Sequence, residues 1–114
     1  MTNCIFCQIV QKQIKANFVY EDEEIVAFRD INPQAPVHIL IIPKKHIESL
    51  NDISSEDEQL IGKIYTVAKQ IAKSESTAET GFRIVVNSGP DAGQAVPHLH
   101  FHLLGGRKFS WPPG

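Results

Sequence analysis

Between His98 and Leu104 the chain reads His-Leu-His-Phe-His-Leu-Leu, so three of its five histidines alternate with large apolar residues. Alternation is the period of a β-strand, in which successive side chains point to opposite faces. Leu99, Phe101 and Leu103 are therefore expected to face a core, while His98, His100 and His102 share the other surface about 6.5–7 Å apart. A single strand histidine is ordinarily a half-buried polar residue with a hydrogen-bond partner. Random placement of five histidines in 114 residues would give this spacing in about one chain in a hundred. Three imidazoles on one face can instead touch a single substrate or a single metal.

A length of 114 residues with 42% apolar composition describes one domain, 1–114, with enough material for a core. The formal net charge is −2 and the densest basic cluster is Lys44-Lys45, which argues against a nucleic-acid partner. The longest aliphatic run, Ile39 to Ile42, is far too short for a membrane span or a secretory leader. A cytoplasmic protein is the expectation. Cys4 and Cys7 are then read as thiols, able to bind a metal given two more ligands or to serve as small hydrophobes.

Thr2-Asn3 offers a helix cap, and Ile5, Phe6, Ile9 and Val10 recur at helical spacing, which predicts a short helix over 3–11. Residues 17–21 and 25–29 flank the charged turn Asp22-Glu23-Glu24 as a hairpin. His38-Ile39-Leu40-Ile41-Ile42, ending at Pro43, reads as a strand buried on both faces. Ser54 or Ser55 caps a long helix whose Leu60, Ile61, Ile64, Val67, Ala68, Ile71 and Ala72 form one stripe. Phe82 to Asn87 reads as a further strand. The loop 88–97, with two glycines and two prolines, can expose backbone N–H groups to an anion just before the histidines. Strands with one long and one short helix make the fold class α+β.

These residues resemble the histidine triad nucleotide-binding family, whose signature alternates three histidines with apolar residues, and 98–104 match it at every position. Asp30-Ile31, Gln34-Ala35-Pro36, His38, Ile42-Pro43-Lys44-Lys45-His46, Asn87, Gly93-Gln94, Leu104-Gly105-Gly106-Arg107 and Trp111-Pro112-Pro113-Gly114 extend the likeness to the Hint-type purine nucleoside phosphoramidase branch. The resemblance implies an antiparallel sheet of about five strands, paired in a homodimer. It implies that Ile5, Phe6 and Ile9 contact the base of an AMP-like ligand, and that Asp30 holds the ribose with Ile31 beside it. Asn87, Gly93 and His102 would hold the α-phosphate, with Gln94 and Ala95 in the same nucleotide-binding loop, and Trp111 would approach the partner's site.

The implied chemistry is hydrolysis of a phosphoramidate, with His100 as nucleophile and His102, when protonated, stabilising charge on the phosphate. By the same resemblance Cys4, Cys7, His46 and His98 match a structural zinc site found in other members. One departure stands out: the branch usually has serine where this chain has Ala95. Other readings of the same residues are a dinucleoside polyphosphate hydrolase or nucleotidyl transferase, a non-catalytic nucleotide-binding or scaffold module, and a metallohydrolase with catalytic zinc on His98, His100 and His102, helped by His38.

Overall fold

The computed structural model describes residues 3–114. Helix α1 (Ile5–Val10) precedes the hairpin β1 (Phe18–Glu21) and β2 (Ile25–Arg29), then β3 (Val37–Pro43), helix α2 (Glu58–Ser74), β4 (Phe82–Val85) and β5 (Phe101–Gly105). The strands form one antiparallel sheet in the order β1-β2-β3-β5-β4. The aliphatic run of β3 lies inside it, with Ile39, Ile41 and Ile42 fully buried. The stripe of α2 covers one face, where Ile64, Val67 and Ile71 pack with Ile39, Ile41, Leu99, Phe101 and Leu103. On the other face Phe6 and Ile9 of α1 pack with Val26, Phe28, Leu40 and Ile42. The β5 pleat therefore sends Phe101 and Leu103 toward α2 and His102 and Leu104 toward the opposite face. Among the described residues no helix is long and apolar enough to cross a membrane.

The hairpin turn is organised by Asp22, which accepts the backbone N–H groups of Glu24 and Ile25 at 2.8 Å each and the Tyr20 hydroxyl at 2.6 Å. Burial pushes this carboxyl up, but those donors together with Lys63 hold it down to about 2. Gly105 ends β5 where a β-carbon would sit 2.7 Å from Thr77 Cγ2. Gly106 follows with φ of +89°, a conformation that glycine adopts without strain.

Four boundaries differ from expectation. The histidine strand begins at Phe101 rather than His98, because the β3 ladder reaches only as far as the Ile41–Phe101 pair. Before it, the Leu99 N–H donates to the Ile47 carbonyl at 2.6 Å and the His98 N–H to that of Val96 at 2.8 Å. The facing survives this, with Leu99 and His98 both buried. Strand β4 stops at Val85 instead of Asn87. Helix α1 is capped by Cys4, whose Sγ accepts the Cys7 N–H, while Thr2 lies outside the described residues. Ser54 caps a single 3₁₀ turn, its N–H donating to Asp57 at 2.9 Å, and α2 proper starts after that turn.

Candidate functional site

An apolar cavity of about 320 Å³ opens between α1 and the histidine face. Ile5, Phe6 and Ile9 wall it from α1, Asp30 and Ile31 from the end of β2, Ala95 from the loop, and His100 and His102 from below. The Phe6 ring meets His100 edge to face with centroids 5.2 Å apart, and meets Phe28 at 5.6 Å. The helix that closes the cavity thus also packs on the middle imidazole.

Hydrogen bonds assign a role to each ring nitrogen. His100 Nδ1 lies 2.7 Å from the His98 carbonyl, which only accepts, so Nδ1 carries the proton and Nε2 keeps a lone pair. The Gln34 N–H donates to His38 Nδ1 at 3.0 Å. His38 Nε2–H then donates to His102 Nδ1 at 2.9 Å, with Asp30 Oδ2 3.4 Å from the same nitrogen. His102 is left with its Nε2–H as a donor. Burial, reinforced by the charges of His100 and His38 and opposed by Asp30, pushes His102 down to about 4, and burial likewise lowers His38. Both rings are neutral at pH 7, so the expected protonated His102 requires an anion beside it.

At the far end of the row, Cys4, Cys7, His46 and His98 bring four ligand atoms within 4.8 Å of one another. Cys4 Sγ lies 3.3 Å from His98 Nδ1, Cys7 Sγ 3.2 Å from His46 Nδ1, and the two Nδ1 atoms 3.1 Å apart. Zinc bonds of about 2.3 Å to sulfur and 2.0–2.1 Å to nitrogen separate tetrahedral ligand atoms by roughly 3.3–3.8 Å, close to what is seen. The fully buried His98 donates Nε2–H to the Pro43 carbonyl at 2.8 Å, which turns the lone pair of Nδ1 toward the cluster. These residues fit a tetrahedral metal. Among the described residues no metal-sized group unites His98, His100 and His102, because the Nδ1 of His98 faces the cysteines and that of His100 a carbonyl.

The loop behaves differently from expectation. Gly93 takes φ of +80°, but its N–H donates to the Pro90 carbonyl at 3.0 Å, and the Gln94 N–H to that of Gly89 at 3.1 Å. The Gln94 side chain clasps the loop, donating to the carbonyls of Glu48 and Val96 and accepting from the Gly89 N–H. Gly93 and Gln94 thus shape the loop, and Ala95 is the loop member of that expected set in the apolar cavity wall. Asn87 lines a neighbouring cavity together with His102, and Trp111 is 81% exposed, outside both. The position of His38 in the imidazole chain was not legible beforehand. Its signal was parity, since His38, Leu40 and Ile42 share the histidine face, but only the Leu40–His102 register brings the rings together.

Comparison with known proteins gives consistent matches. A family model described as HIT domain covers residues 11–109. The crystal structure of a HIT family hydrolase from Legionella pneumophila Philadelphia 1 matches with a TM-score of 0.97 and 53% identity, over 98% of this chain and 100% of that one. A 14 kDa zinc-binding protein of Zea mays is 50% identical over 113 residues, 96% of this chain and 87% of the relative. A histidine triad nucleotide-binding protein from Candida albicans matches with a TM-score of 0.82 and 32% identity, over 96% of this chain and 83% of that one.

Proposed function

The chain belongs to the HIT domain family, and from that premise we propose that it is a nucleotide-binding hydrolase that cleaves purine nucleoside 5′-phosphoramidates through a nucleotidyl-phosphohistidine on His100. The observation that carries this reading is the tautomer of His100, whose Nδ1–H is held by the His98 carbonyl while Nε2 keeps its lone pair in the wall of an apolar cavity. A volume of about 320 Å³ lies within the range of small-molecule sites.

In this mechanism Ile5, Phe6 and Ile9 hold the base, with Ile31 at the rim. Asp30 accepts the ribose hydroxyls on lone pairs left beside its bond from the Asn32 N–H. His100 Nε2 attacks the α-phosphorus, the bond to the amine nitrogen breaks, and the positive charge gathering on the ring is stabilised by the His98 carbonyl. The bound phosphate anion favours a proton on His102 Nδ1, with His38 moving its own proton from Nε2 to Nδ1 at the expense of the Gln34 bond so that Nε2 accepts, and the charged His102 donates from Nε2 to the departing amine or to a phosphate oxygen. Asn87 and the Ala95 N–H complete the hold on phosphate, with Gly93 and Gln94 setting the loop. Water then attacks phosphorus, its proton returning to His102 Nε2 as the phosphorus–His100 bond breaks, which releases the nucleotide and neutral His100.

Zinc on Cys4, Cys7, His46 and His98 would be structural, supplying a crosslink between α1 and the histidine segment. The reduced thiols such a site needs fit a cytoplasmic location. A homodimer sharing one continuous sheet is part of the same proposal, supported by the open edge of β4 and the exposed Trp111, which would reach the partner's site.

The test is mass spectrometry of the protein mixed with an adenosine phosphoramidate. An adenylyl adduct on His100, absent in His100→Ala, is expected, with turnover lost in that variant and nucleotide affinity retained within a few fold. Nucleotide affinity without any adduct would leave a binding module in place of an enzyme.

A further inference from the structure

The apolar cavity beneath α1 runs across the sheet from β5 toward the segment that enters β1. Leu40 pairs with His102, Phe28 with Leu40, and Phe18 with Phe28. With neighbouring strands about 4.8 Å apart, the chain ahead of β1 lies roughly 14 Å from the row of His102. The Arg29 N–H donates to the Asn17 carbonyl at 3.0 Å, which brings the preceding residues alongside the end of β2, and Ile14, Lys15 and Ala16 line the cavity there. Asp30 stands between, its Oδ2 3.4 Å from His38 Nε2. A nucleotide with its phosphate at His100 and His102 and its ribose at Asp30 points its base toward Lys15.

The side chains that enclose such a base are Ile5, Phe6, Ile9, Ile14 and Phe28. They act through buried area, and area alone does not tell one purine from another. The lining holds two cations, Lys15 and Arg29. Arg29 is matched by Glu75, both guanidinium nitrogens donating at 2.9 Å. Lys15 is exposed, and its ammonium has no partner among the described ion pairs. The other polar side chains of the lining, Asp30, His100 and His102, are taken by ribose and phosphate in the proposed mechanism. Among the described lining residues, Lys15 is thus the uncommitted donor at the base end.

Resting on the reading of this cavity as the nucleoside site, we infer that Lys15 is a specificity-determining residue and that the chain prefers guanine to adenine nucleotides. An ammonium offers three donors and no acceptor. Guanine presents two adjacent acceptors, O6 and N7, whereas adenine sets the N6 amino group, a donor, beside N7. Lysine can share its hydrogens between both guanine atoms, but on adenine it meets a donor. Its four-carbon stem can lie along the apolar wall while the charged head stays in water at the rim.

Calorimetric titration of the wild-type protein with guanosine, inosine and adenosine 5′-monophosphates tests this without chemistry at phosphorus. Inosine keeps O6 and N7 but lacks the 2-amino group. Both 6-oxo nucleotides are therefore expected to bind about 3- to 10-fold more tightly than adenosine monophosphate, the effect of a charged hydrogen bond discounted for exposure to water. Lys15→Met should bring guanosine and inosine monophosphates to the affinity of adenosine monophosphate, and Lys15→Arg should keep the preference. Equal losses on all three nucleotides in Lys15→Met would mean that the side chain only closes the cavity, and would overturn the inference. Tight guanosine monophosphate with inosine monophosphate at the adenosine level would assign recognition to the 2-amino group, and Lys15 would not be its reader. Binding of all three with equal affinity sinks only this inference, whereas binding of none sinks the nucleotide reading as well.

Discussion

Protonation of His102 bears on stability and, in the proposed mechanism, on phosphate binding. Its native value of about 4 lies below the roughly 6.5 of an unfolded histidine, so between those pH values the unfolded chain holds a proton the native state lacks. Stability therefore falls as pH drops through that window, and the depressed His38 and His98 act with the same sign. Denaturant titrations at pH 7.5 and pH 4.5 should show a smaller loss for His102→Asn than for wild type. NMR titration of ligand-free protein should place His102 near pH 4, and saturation with AMP should move it upward; a value unmoved by AMP would remove His102 from the phosphate. Ala95 borders the same cavity as His100 and His102, so a hydroxyl there can assist departure of the amine. One neutral hydrogen bond of about 0.5–1.5 kcal/mol corresponds to a 2- to 12-fold faster rate for Ala95→Ser on poor amine leaving groups. Equal acceleration of good and poor leaving groups would instead assign the hydroxyl to phosphate binding.

Helix α1 has six residues, far fewer than a helix needs to persist alone. Phe6 and Ile9 anchor it on the sheet, and Cys4 and Cys7 turn toward His46 and His98. The candidate metal ligands and the wall proposed to hold the base thus share one short element. Removing the metal with a chelator, or substituting Cys4→Ala, should lower the melting temperature and weaken nucleotide binding by about tenfold or more, since both effects follow from loosening α1. Metal-free protein with full thermal stability and full affinity would refute the coupling. The helical spacing made α1 legible in the sequence, but its cap was not. A cysteine sulfur takes the place expected of Thr2-Asn3, because Cys4 is held by packing and by His98 at once.

For the molecule as a whole, β4 leaves one sheet edge open, and Trp111 and Ile31 are exposed. Light scattering on the purified protein should give twice the 12.7 kDa chain mass, and Trp111→Ala should weaken nucleotide binding several fold, about the effect of one aromatic contact; a monomer with full activity would exclude a shared site. What the sequence determined by itself was everything with a short period. Alternation at 98–104 assigned Leu99, Phe101 and Leu103 to the core and the histidines to the opposite face, and the stripe of α2 assigned its covering layer, because pleat and helix repeat within a few residues. Tertiary structure alone decided which ring nitrogen carries each proton, that His38 backs His102, that the Gly93 N–H is engaged within its own loop, and that Arg83 and Arg107 meet over Phe109. The His38–His102 and Arg83–Phe109 contacts join residues far apart in the chain, and they exist only once the β3–β5 and β4–β5 registers are set, since a shift of one residue would send His38, His102 and Arg83 to the other face; the His100–His98 and Gly93–Pro90 bonds are local, but they rest on backbone conformations that no short period announces.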